Sequence, residues 1–280
     1  MSSRDRALSI IELLARNADG LHLSDIAESL GLPRSGTHRL LNDLRENGYV
    51  RQEHERGIYT LTVKLASLSL VHQVGTGMVD LVLPILDSIA EQTGELAMLS
   101  VVEGERLMRV AKARGARRGL LYNPEEEPEV YLAATSNGYA YLSCLNDEKA
   151  IELIARQGPL RDGYGSNAPR SIKEVMTYVH EARERGYSII HDVFEAGTSA
   201  IAAPIRLPKS GNVVGTISVA GPSVRMTRDR LEVMAPLIIS TADDIGRAAT
   251  RSGMFEGHRY STTGGSAPLP ASTRWASMIG

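Results

Sequence analysis

Between residues 7 and 61 the apolar positions repeat with helical spacing three times and then alternate. Ala7, Ile10, Ile11, Leu13 and Leu14 form one side of a first helix. Ile26, Ala27 and Leu30 mark a second of about two turns, with Ser24 placed to cap its start and Gly31 to stop it. Pro33 cannot continue that helix, but its fixed φ suits the first turn of another. On this third helix Leu40, Leu41 and Leu44 make an apolar stripe, while Arg34, Ser35, His38, Arg39 and Asn42 crowd the opposite side. Tyr49 to Gln52 and Ile58 to Leu61 then alternate like strands around EHERG, where Gly57 permits a tight turn. Two short helices joined by a tight turn, the second exposing hydrogen-bonding side chains near its start, form the pattern of a helix-turn-helix that reads the major groove. The hairpin would be its wing. A three-helix packing unit with a merely solvated polar face is the alternative this pattern leaves open.

The periodicity continues beyond the hairpin. Residues 61 to 74, LTVKLASLSLVHQV, are apolar on most faces, as in a connecting helix covered by a second domain or a sister subunit. Gly75-Thr76-Gly77 interrupts it. Met78 to Thr93 predicts an amphipathic helix, and ELAMLSVVEGERLMRVAKAR two strands around Glu103-Gly104. Leu132 to Leu145 and Asp147 to Arg156 predict helices, and Ser171 to Glu174 is a capping box opening a helix that Gly186 ends. The strands YSIIHDV, SAIAAPIRL and NVVGTISVAG follow, the last two joined by a turn at PKSG. Thr227 caps a final helix running to about Thr250. This order predicts an α+β sheet with helices on one side.

Composition narrows the function. The 280 residues suffice for two ordinary domains, and 42% hydrophobic with 23% charged residues is a globular balance. No apolar run approaches the roughly eighteen residues of a membrane span, and MSSRDRALSI lacks the apolar core of a signal peptide, so the expected location is cytoplasmic, with no membrane partner. A single cysteine, Cys144, excludes an intrachain disulfide and a metal site with Cys spacing. Net charge is −2, and residues 1 to 60 hold eight Arg and no Lys against nine Asp and Glu. DNA affinity would therefore rest on placement and dimerisation, not on domain charge.

Enzyme chemistry finds little footing. There is no GxSxG elbow, no Walker loop and no His pair at four-residue spacing, and the GTG at 75 to 77 lacks the third glycine of a dinucleotide fingerprint. His191 and Asp192, neighbours on one strand, are expected on opposite faces, a poor geometry for a dyad. Cys144, within GYAYLSCL, reads as helix packing. Arg114, Arg117 and Arg118 form a basic loop that could attract an anion. From Gly253 onward the Gly, Ser, Thr and Pro-rich tail reads as disordered.

The stretches ALSIIELLA, LHLSDIAESLGLPRSGTHRLLNDLRENGYV and YTLTVKLASLS resemble the N-terminal domain of the IclR (isocitrate lyase regulator) family of bacterial transcription factors. ERGYS, Glu195-Ala-Gly197, IAAPI, VVGTISVAGP with Arg225, and TSNGYAYL resemble its C-terminal effector domain, a GAF or profilin-like sheet. The resemblance implies DNA contacts from Arg34, Ser35, Thr37, His38, Arg39, Asn42 and, in the wing, Arg56. Gly36 stands where the family carries Thr, removing a possible contact. It also implies an effector lining of Leu107, Val110, Val130, Ser136, Asn137, Ile190, Ala200, Ser218 and Ala220. Members that bind small keto acids carry an acid in place of Ile190 and a cysteine in place of Ala200, so a larger or more apolar effector is expected here. The apolar members of this lining also fit a plain sheet core.

The expected organisation is a winged helix-turn-helix over residues 1–61, a linker helix over 62–77, an effector-binding domain over 78–252 and a tail over 253–280. The expected function is an effector-responsive regulator, a repressor of a catabolic operon retuned by a small organic or aromatic acid. It needs no cofactor or metal and binds double-stranded operator DNA as a homodimer or a dimer of dimers. The rival readings are an activator of the same kind, an enzyme fused to a DNA-binding domain, and a sensor whose winged helix binds protein.

Overall fold

The structure is a computed structural model that describes residues 3–53, 57–75, 77–115, 120–124, 127–161 and 164–252. The wing residue Arg56, the loop residues Arg117 and Arg118, and the tail from Gly253 lie outside the described residues. The chain divides into two compact units after Gly75.

The first unit carries α1 (Ser3–Arg16), α2 (Leu23–Ser29), α3 (Arg34–Glu46), the hairpin β1 (Val50–Gln52) and β2 (Tyr59–Leu61), and α4 (Lys64–Gly75). Ile10, Leu14, Ile26, Leu40, Leu41, Leu44, Val50 and Tyr59 form its core, so the three helical stripes and the hairpin close on one another. Ser24 does not cap α2. The helix starts one residue earlier after an extended His22, and the Ser24 hydroxyl bonds the Asp25 carboxylate instead. Its far end is set by Gly31, at φ +60°: the Gly31 N–H donates to the Glu28 carbonyl and the Leu32 N–H to that of Ala27. This closure needs a left-handed residue. Pro33, extended at ψ 137°, stands just before α3, not within its first turn.

The first unit by itself leaves the apolar side of the linker helix uncovered. No residue of α4 is buried, and Leu68, Leu70, Val71 and Val74 are exposed.

The second unit is built on a five-stranded antiparallel sheet in the order β4-β3-β7-β6-β5. Its strands are β3 (Leu96–Glu103), β4 (Arg106–Arg114), β5 (Ser188–His191), β6 (Thr198–Arg206) and β7 (Val213–Pro222). Helices cover both faces, not one. On one face α5 (Leu83–Thr93) and α9 (Arg228–Ser252) bury Leu99, Ile201, Ile217 and Val219. On the other lie α6 (Ser136–Leu142), α7 (Asp147–Arg156) and α8 (Ile172–Arg185), over Met98, Val102, Leu107, Ile190, Ala200 and Ala220. Both-face burial explains why β3 and β7 read as almost unbroken apolar runs.

Two helices differ from their sequence periods. Met78 to Thr93 opens with a π turn, Met78–Val82, before α5 begins with Pro84 in its first turn. Proline lacks an amide hydrogen and crowds the carbonyl four residues back, and the wider turn relieves that conflict. Residues 132 to 135 are not helical. Thr135 is extended and its hydroxyl accepts the Gly138 N–H, so α6 starts only at Ser136. A Cβ on Gly138 would fall 2.4 Å from the Leu132 carbonyl oxygen, so the preceding turn folds directly against the helix start. The capping box is present: the Ser171 hydroxyl accepts the Glu174 N–H, while the Glu174 carboxylate accepts from Arg170. Thr227 likewise accepts the Arg230 N–H at the start of α9.

Candidate functional site

Two sets of residues are candidates, one in each unit. In the first, α3 buries Leu40, Leu41 and Leu44 and leaves Arg34, Ser35, His38 and Arg39 exposed in one stripe, with Asn42 half-buried beside them. The Asn42 amide lies 3.3 Å from His38 Nδ1. With the amide nitrogen donating, Nδ1 accepts and the remaining N–H sits on Nε2, available to an acceptor outside the helix. Thr37 corrects the sequence reading. It is fully buried, and its hydroxyl donates to the Pro33 carbonyl at 3.1 Å, so it locks the turn and faces away from this stripe. Gly36 meets open space where a side chain would project. In the wing, Arg51 Nε donates to the Thr60 hydroxyl across the strand pair at 3.0 Å.

In the second unit, Leu107, Val130, Ile190, Ala200 and Ala220 share one buried cluster beneath α6 to α8. Ser136, Asn137 and Ser218 are buried over the same face. Val110 is not with them. A bulge in β4 leaves it unpaired between Arg109, opposite Ser100, and Ala111, opposite Leu99, and it packs into the α5 and α9 side. Its place on the α6 face is taken by Arg109, which follows Leu107 by two residues.

The polar groups first expected to meet a ligand are engaged with one another. Asn137 Nδ2 donates to Ser218 Oγ at 2.8 Å, its Oδ1 accepts from Thr216 Oγ1 at 2.8 Å, and the Ser188 hydroxyl donates to the Ser136 carbonyl at 2.6 Å. Sequence reasoning also passed over the aromatic side chains here. Tyr122, Tyr164 and Phe194 pack against the cluster that contains Tyr131. Tyr131 stacks on Tyr164 at 5.4 Å, Tyr164 on Phe194 at 5.2 Å, and the Arg161 guanidinium covers the Tyr131 ring at 4.6 Å. Burial pushes the Tyr122 hydroxyl well above its ordinary pKa, so it stays protonated as a donor. These aromatics come from loops and turns that share no sequence period, so only the fold brings them together.

His191 and Asp192 also differ from expectation. Asp192 follows the end of β5 at φ +51°, which turns its carboxylate back to 3.5 Å from His191 Nε2. His191 Nδ1 lies 2.7 Å from Ser199 Oγ, which donates to Ser223, and Ser223 in turn donates to Asp192. The Ser199 hydroxyl is buried and already gives its proton to Ser223, so this ring of bonds closes the 192–198 loop and offers no nucleophile. Cys144 is half-buried, 3.0 Å from an Arg206 nitrogen, with its thiol pushed up by burial.

Comparison with known proteins decides between the readings of the two units. Residues 3–54 match the IclR helix-turn-helix domain, and residues 72–247 match the family described as bacterial transcriptional regulator IclR C-terminal. The chain belongs to the IclR family. It is 26% identical over 259 residues to the transcriptional repressor IclR of Escherichia coli K12, a match covering 88% of this chain and 89% of the relative. The fold is that of an IclR-type regulator from Alicyclobacillus acidocaldarius, with a TM-score of 0.74 at 20% identity, covering 88% of this chain and 98% of that one. An IclR homologue from Microbacterium hydrocarbonoxydans, complexed with 4-hydroxybenzoate, superposes with a TM-score of 0.68 at 20% identity, covering 89% and 100%. The protein is thus an IclR-family transcriptional regulator, with a helix-turn-helix DNA-binding domain followed by the family's C-terminal domain. Among the described residues no single helix is long and apolar enough to cross a membrane.

Proposed function

We propose that this IclR-family protein is a cytoplasmic repressor of a catabolic operon, released or retuned by a small organic acid. The observation that carries the reading is the split of α3 into a buried leucine stripe and an exposed Arg34, Ser35, His38, Arg39 stripe. On this reading those four residues and Asn42 meet the major groove, with Arg34 and Ser35 nearest the helix start. Repression is supported by the relatives, which carry the names of repressors.

The working organisation is a DNA-binding domain over 1–61, a linker helix over 62–77 and an effector domain over 78–252. The exposed apolar side of α4 favours a homodimer, because a helix presenting Leu68, Leu70, Val71 and Val74 to water gains by covering them with a second copy.

Effector binding acts on DNA only through a difference in affinity for two states of the protein. The effector site is the α6 side of the sheet, lined by Leu107, Val130, Ile190, Ala200 and Ala220. Ile190 and Ala200 make it apolar where keto-acid-binding relatives are polar. A mobility shift with the chain's own upstream region and an unrelated fragment of equal length tests the proposal. Selective retardation of the upstream fragment supports it, and equal affinity for both fragments refutes it.

A further inference from the structure

Across the α6 face of the sheet runs one polar row in register: Arg109 on β4 faces Ser100 on β3, and Ser100 faces Thr216 on β7. The alternation fixes the side on which this row projects. Ser100 lies between Met98 and Val102, and Arg109 follows Leu107, all three flanking residues being members of the buried cluster on that face. Thr216 gives its proton to Asn137. The other two members are incomplete. Ser100 is fully buried and its hydroxyl has no partner, and Arg109 Nε is buried and also without one. A buried polar group left unpaired loses its bonds to water and gains none in return, and two such groups side by side among the described residues call for an explanation.

Arg225, in the turn that follows β7, shows how this protein treats an arginine whose role is structural. Its Nε and Nη2 bond both oxygens of the buried Glu95 carboxylate, at 2.8 and 2.9 Å. Arg109 instead donates one bond, from Nη1 to the Glu127 main-chain oxygen at 2.7 Å, while the Glu127 carboxylate lies 3.5 Å from Arg161. Burial lowers the Arg109 pKa, whereas its carboxylate partner raises that of Arg225. Arg109 is thus a cation partly withdrawn from water whose hydrogen bond, among the described residues, goes to a carbonyl, while the Glu127 carboxylate acts on it without a hydrogen bond and only partly offsets the effect of burial. Tyr122 lies close enough to act on the Arg109 charge, and Tyr131 and Tyr164 stack on one another at the same cluster.

We propose that Arg109 and Ser100 form the anion-holding end of the effector site, and that the effector is an aromatic carboxylate whose ring lies among Tyr122, Tyr131 and Tyr164. This rests on the reading of the α6 face as the effector site. The carboxylate takes the free Nε–H of Arg109 and the Ser100 O–H, a charge-assisted arrangement that neither the Ser136 and Asn137 groups nor the apolar Ile190 side supplies. The ring faces a wall of flat side chains, which a two- or three-carbon acid would leave unfilled.

The test uses the full chain with benzoate and 4-hydroxybenzoate, their uncharged amides, and pyruvate, read by calorimetry. Affinity of the unliganded protein for its upstream DNA is measured in parallel. The acids are expected to bind at least 30-fold more tightly than the amides and than pyruvate. Arg109→Gln is expected to bring the acid-to-amide ratio below about three, Arg109→Lys to restore part of it, and Ser100→Ala to weaken the acids several-fold. Should Arg109→Gln fail to fold, Ser100→Ala and Arg109→Lys carry the test. An unchanged acid-to-amide ratio in the folded variants, pyruvate binding as well as the aromatic acids, or no acid binding at millimolar concentration overturns this proposal alone. Loss of upstream DNA selectivity in the wild-type protein would instead strike at the repressor reading beneath it.

Discussion

Asn137 and Ser218, 81 residues apart in sequence, are joined by a 2.8 Å side-chain hydrogen bond that pins the start of α6 to β7. The other end of the same amide accepts from Thr216, so one side chain satisfies two buried hydroxyls. Asn137→Ala leaves both without a partner. The predicted cost is about 1–3 kcal/mol of stability in the second unit, seen as a lower urea midpoint with an unchanged slope. A midpoint within error of the wild type would mean that water takes over both bonds.

Residues 37 and 39 are two apart on α3 and are predicted to behave oppositely. Arg39→Ala removes an exposed side chain, so it should weaken operator binding by about 1–3 kcal/mol and leave the melting temperature unchanged. Thr37→Val removes the buried bond to Pro33, so it should lower the melting temperature while the folded fraction binds DNA normally. Paired mobility shifts and thermal melts separate the two, and a stable Thr37→Val protein that no longer binds DNA would reverse the assignment.

Much of this was legible in the sequence because it rests on local rules. The stripe of Leu40, Leu41 and Leu44, the capping box at Ser171 and Glu174, and the turn at Glu103-Gly104 each depend on spacing within one element. What escaped depends on pairing between elements. Val110 stands three residues from Leu107, a spacing that strand alternation sends to the opposite face while Arg109 keeps the α6 face, and the bulge opposite Leu99 and Ser100 holds Ala111 on the α5 and α9 side as well. Asp192 continues a strand pattern until its φ of +51° reverses it. Thr37 is polar by composition, and its burial follows from a bond to the backbone four residues earlier.

Ile190 is buried with Ala200 and Ala220 in the cluster proposed to receive the effector. Ile190→Asp places a carboxylate against apolar surface and is predicted to reduce the response to an aromatic acid at least tenfold, while free-protein affinity for the operator stays within about twofold. Titrating the acid into preformed complexes of both proteins provides the check. Equal sensitivity would place the effector elsewhere.

Cys144 is the chain's single cysteine, so its chemistry can be read directly. Burial raises its pKa despite the nearby Arg206, which leaves less thiolate at neutral pH than an open cysteine has. Its reaction with a disulfide reagent at pH 7 should be slower in the native protein than in urea and should accelerate as pH rises. A native rate equal to the unfolded one would show the thiol to be open.

Footprinting of the full chain on its own upstream region tests the central claim most directly, because a dimer presenting two copies of α3 must meet two equivalent half-sites. The predicted result is protection of an imperfect palindrome with half-sites about one helical turn or a multiple apart, lost in Arg39→Ala and relieved by the effector acid in the wild type. A single asymmetric site filled by one copy, or protection that persists in Arg39→Ala, would contradict the account.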